Sequence, residues 1–407
     1  MELLKNLISY HDAKSIVFNN LNKLINSKYK TINVLNSLNK ISFEDIGAPT
    51  DLPMFNKSAM DGYAIIAEDT FGASENNPII LNLVEGDEIS SEECIKVCTG
   101  MPIPKGANAV VMKEYCNEED DFLEVRWSSY PNENISRIGE DVKEGEIILK
   151  KGETINPYHI ALLLSLGIKD IKVMDLKIGL ISTGDELIDI EDLKDIQQLK
   201  NQHKIVNSNT PMLSALINET GLTPNIYKLV KDNEEELKNN ILKAINENDI
   251  IFTTGGTSVG DRDYTIKVIN ELCSMELHGV QIRPGKPFGF AKYKSNEGEE
   301  KLIFILSGYP VAGAMQFELF FRNYFKPRKY LYLPLNRNIA STLGRTDILR
   351  LKFVETNNND GKKSAVEPLK ITGSGVLSSM AKADCYTIIG ENIEGYEKGE
   401  VIKVVMI

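Results

Sequence analysis

Histidine is scarce: His11, His159, His203 and His278 are scattered through 407 residues. That scarcity argues against Ser–His nucleophilic chemistry and His-ligated metals, so carboxylates and basic side chains must carry any acid–base work. Cysteine is equally thin. Cys94, Cys98, Cys116, Cys273 and Cys385 form no Cys-x-x-Cys pair and no even framework, a pattern that suits reduced thiols. Basic excess is also missing, with 46 Lys and Arg against 58 Asp and Glu and a formal net charge of -12. Such a balance excludes a surface built to grip nucleic acid or anionic lipid, and any cationic site must be local. No apolar run approaches the ~20 residues of a bilayer span. Lys5 and Asp12 interrupt the N-terminal stretch, so neither a membrane partner nor a secretory leader is expected, and the expected location is the cytoplasm. Tandem repeats and low-complexity linkers are absent too.

What is present falls into distinct textures. Residues 48–142 carry short apolar runs separated by turn residues, as in "PIILNLVEGDEI", and predict a β-rich module. From 173 to 330 strands alternate with helices: "KIGLIS", "TPMLSALINETG", "DNEEELKNNILKAI", "DIIFTT", "DYTIKVINEL", "KLIFIL" and "PVAGAMQFELFFRNYF". That alternation predicts a doubly wound parallel α/β domain. Thr210 is the expected cap of the second element, and Asp232 with Glu235 has capping-box spacing at the third. Residues 331–407 alternate apolar and polar positions in "ILRLKFVE" and "EVIKVVMI", predicting a small β-barrel. Residues 1–47 and 143–172 are left as N-terminal helical and linking segments, parts of which are expected to join the α/β domain. Within them "NPYHIALLLSLG" predicts a helix with Asn156 as cap and Gly167 as stop.

In an open parallel sheet, ligands bind beyond the carboxyl ends of the strands. Three loops of small residues occupy such places: "STGDE", "TTGGTSVG" and "LSGYPV". Glycine lets backbone N–H groups approach an anion, and a helix N-terminus favours negative charge, so a phosphate-bearing ligand is the natural occupant. Walker A spacing is absent, because Lys286 is followed by Pro287. Capping of the next helix would account for Asp263, at about 1 kcal/mol, and leaves Asp185, Glu186 and Asp261 unexplained. Carboxylates beside a phosphate repel it unless a cation intervenes, which points to a magnesium-bridged phosphate. Arg283 and Lys286, around a Pro-Gly turn, supply the cationic counterpart.

The sequence closely resembles the molybdopterin molybdenumtransferases, the MoeA and gephyrin E-domain family. Matching stretches run in the family's order from "SAMDGYA" and "TGMPIPKGANAVVM" through "RIGEDVKEGE", "STGDEL", "VNSNTPML" and "TTGGTSVGDRDYT" to "RPGKPFGFA", "SGYPV" and "GSGVLSSMAKAD". The resemblance implies an enzyme that inserts molybdate into adenylylated molybdopterin with Mg²⁺-dependent release of AMP. It also implies a homodimer of four-domain chains in which the partner's β-rich module closes the cleft, with other enzymes of the pathway as further partners. By motif, Asp185, Glu186 and Asp263 are the expected metal- and substrate-handling carboxylates, Glu186 and Asp263 holding the metal. Gly184, Gly255, Gly256, Ser258, Gly260, Ser208 and Asn209 would cradle the substrate. Arg283 and Lys286 would meet molybdate or phosphate, with Arg350 and Ser378 approaching from the C-terminal domain, and Pro287, Ser307 and Pro310 would belong to the same substrate-binding set. Asp61, Thr99 and Asp141 are the expected contributions of the β-rich module.

Departures from the family's pattern bear on the oxyanion. Arg283 replaces a common Lys, exchanging a compact ammonium for a planar fork. "SGYPVA" stands where Pro-Gly-Asn-Pro-Val-Ser is frequent, so Ala312 lacks a hydroxyl that Ser307 could replace. Asn207 stands where an Asp is common, removing one negative charge. Tungstate therefore remains an alternative to molybdate. The rival functions are a molybdopterin adenylyltransferase, which would share the glycine loops, and a non-catalytic dimeric scaffold.

Overall fold

The computed structural model describes residues 7–256, 264–358, 361–369 and 373–407. Its centre is a six-stranded sheet in the order Pro224–Ile226, Ile178–Ser182, Ile250–Thr254, Glu300–Leu306, Gly289–Lys294, Ser274–His278. The first four strands are parallel and the last two antiparallel. The doubly wound parallel arrangement expected from the sequence is present in four strands, and two further strands extend it by antiparallel pairing. The stretch between helix Tyr264–Leu272 and strand Glu300–Leu306, to which the sequence reading assigns no strand, contributes these two at the sheet's edge, where no crossover helix is needed.

The three inner strands are buried on both faces, so alternate side chains serve two different cores. Ile178, Leu180, Ile250, Phe252, Leu302 and Phe304 face helices Tyr10–Ile25, Asn209–Glu219 and Pro310–Phe317. Ile181, Ile251, Ile303 and Ile305 face helices Glu234–Glu247 and Tyr264–Leu272. Double winding therefore follows from runs that are apolar at every position. Helix Tyr10–Ile25 packs through Tyr10, Ala13, Val17 and Leu21 into the first core, next to Phe320.

Beyond that helix the N-terminal segment is not helical as its texture suggested. Tyr29–Asn33 is a strand paired antiparallel with Asp170–Met174, and its Ile32 packs against a small core of Val34, Ile155, Leu163 and Val173. Helix Pro157–Ser165 is capped by Asn156 and followed by Gly167 at φ 76°, as the sequence predicts. Two other caps move. Helix Asn209–Glu219 starts before Thr210, whose hydroxyl is turned inward. Asn233, not Asp232, caps helix Glu234–Glu247 by accepting from the Glu236 amide.

Residues 48–142 contain a six-stranded sheet, with Gly62–Ile65 between Ala109–Met112 and Glu93–Val97, around Tyr63, Ile65, Leu81, Val111 and Leu123. Near the C-terminus, Thr346–Asn358, Cys385–Ile389, Val401–Met406 and Tyr330–Pro334 build another sheet, joined at its edge by Ile282–Arg283 of the α/β region. That parallel pairing ties the Arg283 turn to Asp347 and brings the C-terminal sheet beside the glycine loops.

Candidate functional site: a two-part cleft at the strand ends

Register fixes the position of the three small-residue loops. Ser182 pairs with Thr254, and Thr254 with Leu306, so three adjacent parallel strands end level. The chains leaving them converge. A Cβ on Gly255, which has φ 95°, would lie 2.3 Å from the Thr183 carbonyl oxygen, and one on Gly308 would lie 3.4 Å from the Gly255 Cα. Only glycine at 255 permits both that conformation and that approach.

Above these loops lies a cleft of about 820 Å³, bordered by Glu186, Asn207–Asn209, Gly255, Gly256, Lys286, Pro287, Ser307–Pro310 and, from the C-terminal region, Gly375 and Leu377. A second hollow of about 510 Å³ shares Lys286, Pro287, Ser307 and Tyr309 and adds Arg283, Ala312 and Ser374. Their charges differ. Among the described residues, Glu186 and Lys286 are the acid and the base bordering the larger space, whereas Arg283 and Lys286 border the smaller one, which no described carboxylate lines. The described lining of the smaller hollow is thus cationic, and the larger offers an acid at one side.

The loops are held by side chains beneath them. Gln316, fully buried on helix Pro310–Phe317, accepts from the Ser307 amide at 2.7 Å and donates to the Gly285 carbonyl at 2.7 Å. It locks the Ser307 loop to the Arg283–Lys286 turn. Asn209 donates to the Gly308 carbonyl at 2.7 Å, and its own Oδ1 is buried with no partner among the described residues. Ser307 Oγ accepts from the Tyr309 amide. The sequence reading passed over Gln316, although a single amide within "PVAGAMQFELFF" was the signal: a polar group in an apolar helix is buried only with partners.

The acids sort themselves by geometry. Asp185 faces away from the cleft and exchanges hydrogen bonds with Asp232: its amide donates to the Asp232 carboxylate and its carboxylate accepts from the Asp232 amide, each at 3.2 Å. Thr183 Oγ1 also donates to Asp232, which explains why that residue does not cap the helix. Lys204 Nζ donates to the Asp185 carbonyl. Glu186 instead borders the cleft, its carboxylate lying over Gly184 so closely that a Cβ there would meet it at 2.8 Å. Ser258, Gly260, Asp261 and Asp263 lie outside the described residues.

Other predicted residues lie apart. Arg350 is fully buried on strand Thr346–Asn358, with Nε and Nη1 unpartnered among the described residues and its pKa lowered by that burial, yet it borders neither hollow. Ser378 lines a separate small depression with Lys352 and Glu367. Arg283 is half exposed and 3.6 Å from buried Asp347, which Arg345 already neutralises at 2.9 Å. In the β-rich sheet region, Asp61 accepts from the Thr99 amide at 2.8 Å and hydroxyl at 2.9 Å, bonds that hold its carboxyl below the usual range. The Asp141 amide donates to the Leu52 carbonyl at 3.0 Å. Within one chain Asp61, Thr99 and Asp141 do not border the cleft.

Comparison with known proteins accounts for the whole length. Residues 8–167 match the MoeA N-terminal region (domain I and II), 179–327 a probable molybdopterin binding domain, and 332–407 the MoeA C-terminal region (domain IV). A putative molybdopterin biosynthesis protein of Methanocaldococcus jannaschii is 54% identical over 411 residues, covering 100% of both chains. A molybdopterin molybdenumtransferase of Staphylococcus aureus is 34% identical over 394 residues, covering 92% of this chain and 90% of the relative. The crystal structure of the molybdopterin biosynthesis moeA protein of Pyrococcus horikoshii superposes with a TM-score of 0.79 at 33% identity, over 99% of this chain and 100% of that one. Matched along its length by both sequence and fold, the chain belongs to the MoeA family of molybdopterin molybdenumtransferases.

Proposed function

We propose that the chain is a transferase of molybdenum cofactor biosynthesis that binds adenylylated molybdopterin in the larger cleft and molybdate in the smaller, cationic hollow, releasing AMP as the metal is inserted. The observation that carries this reading is the shared wall. Lys286, Pro287, Ser307 and Tyr309 border both spaces, so a large ligand and a small oxyanion would meet at one boundary. Arg283 and Lys286 would attract the oxyanion, and the Ser307 loop, held by Gln316, would orient it. Backbone at Gly255, Gly256 and Gly308, with Ser208 and Asn209, would cradle the phosphates.

Magnesium fits the donor set. No group of three or more His, Cys, Asp or Glu that could hold a metal occurs among the described residues. Mg²⁺ does not need one, since it takes one or two carboxylates with waters and phosphate oxygens. Glu186 is the carboxylate at the cleft, and Asp263 is its proposed companion. Bound there, Mg²⁺ would neutralise charge on the phosphoanhydride. Asp185, engaged by Asp232, would keep the Gly184 turn in place rather than touch substrate.

The domain division at 48–142, 173–330 and 331–407, with 1–47 and 143–172 linking, is part of this proposal, as is a cytoplasmic homodimer. Asp61, Thr99 and Asp141 would act on the partner's cleft. Arg350 and Ser378 would need the C-terminal region to move toward the oxyanion. No helix among the described residues is long and apolar enough to cross a membrane. The test is incubation of the purified chain with adenylylated molybdopterin and Mg²⁺, with molybdate, tungstate or neither, while AMP is followed. AMP release stimulated by molybdate is expected. Pyrophosphate release from ATP without molybdate-stimulated AMP release would instead identify an adenylyltransferase, and tungstate-selective release a tungsten enzyme.

A further inference from the structure

Beneath the cleft floor runs a chain of side-chain hydrogen bonds whose direction is set at one end, by the Asp189 carboxylate on one side of Asn207 and the Thr210 amide on the other. Asp189 Oδ1 lies 2.9 Å from Asn207 Nδ2. An ionised carboxylate only accepts, so it selects the amide nitrogen and turns Asn207 Oδ1 the other way. That oxygen accepts from the Thr210 amide at 3.3 Å and hydroxyl at 3.1 Å. Having given its proton to Asn207, the Thr210 hydroxyl can only accept from Ser182 Oγ, 2.6 Å away. Ser182 in turn accepts from Thr254 Oγ1 at 2.8 Å. One direction is therefore consistent: Thr254 to Ser182 to Thr210 to Asn207 to Asp189.

Ser182, Asn207, Thr210 and Thr254 are all buried, and Thr254 directly precedes Gly255. Asn207 itself borders the cleft. The chain thus spans both strand ends and the segment bearing Ser208 and Asn209. We propose that Asp189 is a positioning residue of the cleft: by holding the Asn207 amide in one orientation it sets the separation of the Gly255 loop from the 207–209 segment, and so shapes the cradle for an anionic ligand. The proposal rests on the reading of this cleft as the substrate site. It also accounts for Asn at 207, since a carboxylate there would face that of Asp189 at hydrogen-bond distance, where two like charges repel.

The test is a charge swap in the full-length protein. Asn207→Asp should speed amide hydrogen exchange at residues 207–210 and 253–256 by about tenfold or more, as a directed bond becomes a repulsive contact. Adding Asp189→Asn restores a donor facing an acceptor with the polarity of that one bond reversed, and should return exchange to within about threefold of the parent. Molybdate-stimulated AMP release should fall and recover in parallel. Unchanged exchange in Asn207→Asp, or loss that the double substitution does not repair, overturns the role of Asp189. Absence of AMP release from the parent protein would sink the proposed reaction while the exchange data still judge Asp189.

Discussion

Gly308 and Gly255 abut, the Cβ that Gly308 lacks falling 3.4 Å from the Gly255 Cα. Two loops separated in sequence by a helix and several strands thereby make one floor. Glycine is a requirement at 255, where the φ is 95° and a Cβ would clash at 2.3 Å, whereas a Cβ at 308 would meet the Gly255 Cα at ordinary contact distance.

Gly255→Ala should be severe. The added Cβ would lie 2.3 Å from the Thr183 oxygen in a residue already at φ 95°. Left-handed strain and the clash together should cost about 2–4 kcal/mol in urea unfolding. A variant as stable as the parent would show that the loop has room to relax.

Gln316→Leu keeps the volume of a buried side chain and removes both bonds to the Ser307 amide and Gly285 carbonyl. Leaving two main-chain groups unsatisfied should cost about 2–4 kcal/mol. The molybdate concentration needed for half-maximal AMP release should also rise, because the two loops bordering the smaller hollow are no longer tied. Lowered stability with an unaltered molybdate requirement would confine Gln316 to folding.

Lys286→Ala should raise the molybdate requirement by about tenfold or more, since this ammonium borders both spaces. Removing it opens no core cavity, so the unfolding midpoint should change by less than about 0.5 kcal/mol equivalent. An unchanged molybdate titration would remove Lys286 from oxyanion binding.

Asp249→Asn tests the pH dependence of the fold. Burial of Asp249 opposes its charge, but hydrogen bonds from Lys28 and the Lys177 amide and the charges of Lys28 and Lys301 outweigh burial and lower its pKa. The folded-state pKa lies below the unfolded value of about 3.9, so the contribution is complete above that pH and disappears as pH falls through the folded pKa. The substitution should cost about 2 kcal/mol at neutral pH. The difference from the parent should shrink below about pH 4. A difference that stays constant down to the acid transition would contradict the assignment.

The sequence by itself determined much of the architecture. Runs such as "KIGLIS", "DIIFTT" and "KLIFIL" are apolar at every position, a pattern stable only with helices on both sheet faces, and the three small-residue loops follow from them. The cap at Asn156 was equally legible, because its partner His159 lies within one turn. Asn233 was missed as a cap because Asp232 is engaged from elsewhere: Thr183 and Asp185 lie 49 and 47 positions away, and proximity of that kind leaves no local spacing to read. The antiparallel edge strands escaped for a similar reason, as their partners are chosen by sheet position rather than by propensity.

Only tertiary structure decided which acid meets the cleft. Asp185 and Glu186 are neighbours with the same chemistry, yet one bonds Asp232 and the other borders the hollow. Likewise the Gln316 bridge and the separation of Ser378 from the smaller hollow depend on how distant elements dock. Residue type and spacing set which groups can act. Packing over long sequence separations sets which of them point at the same space, because a side chain's direction is fixed by the strand end and helix that carry it.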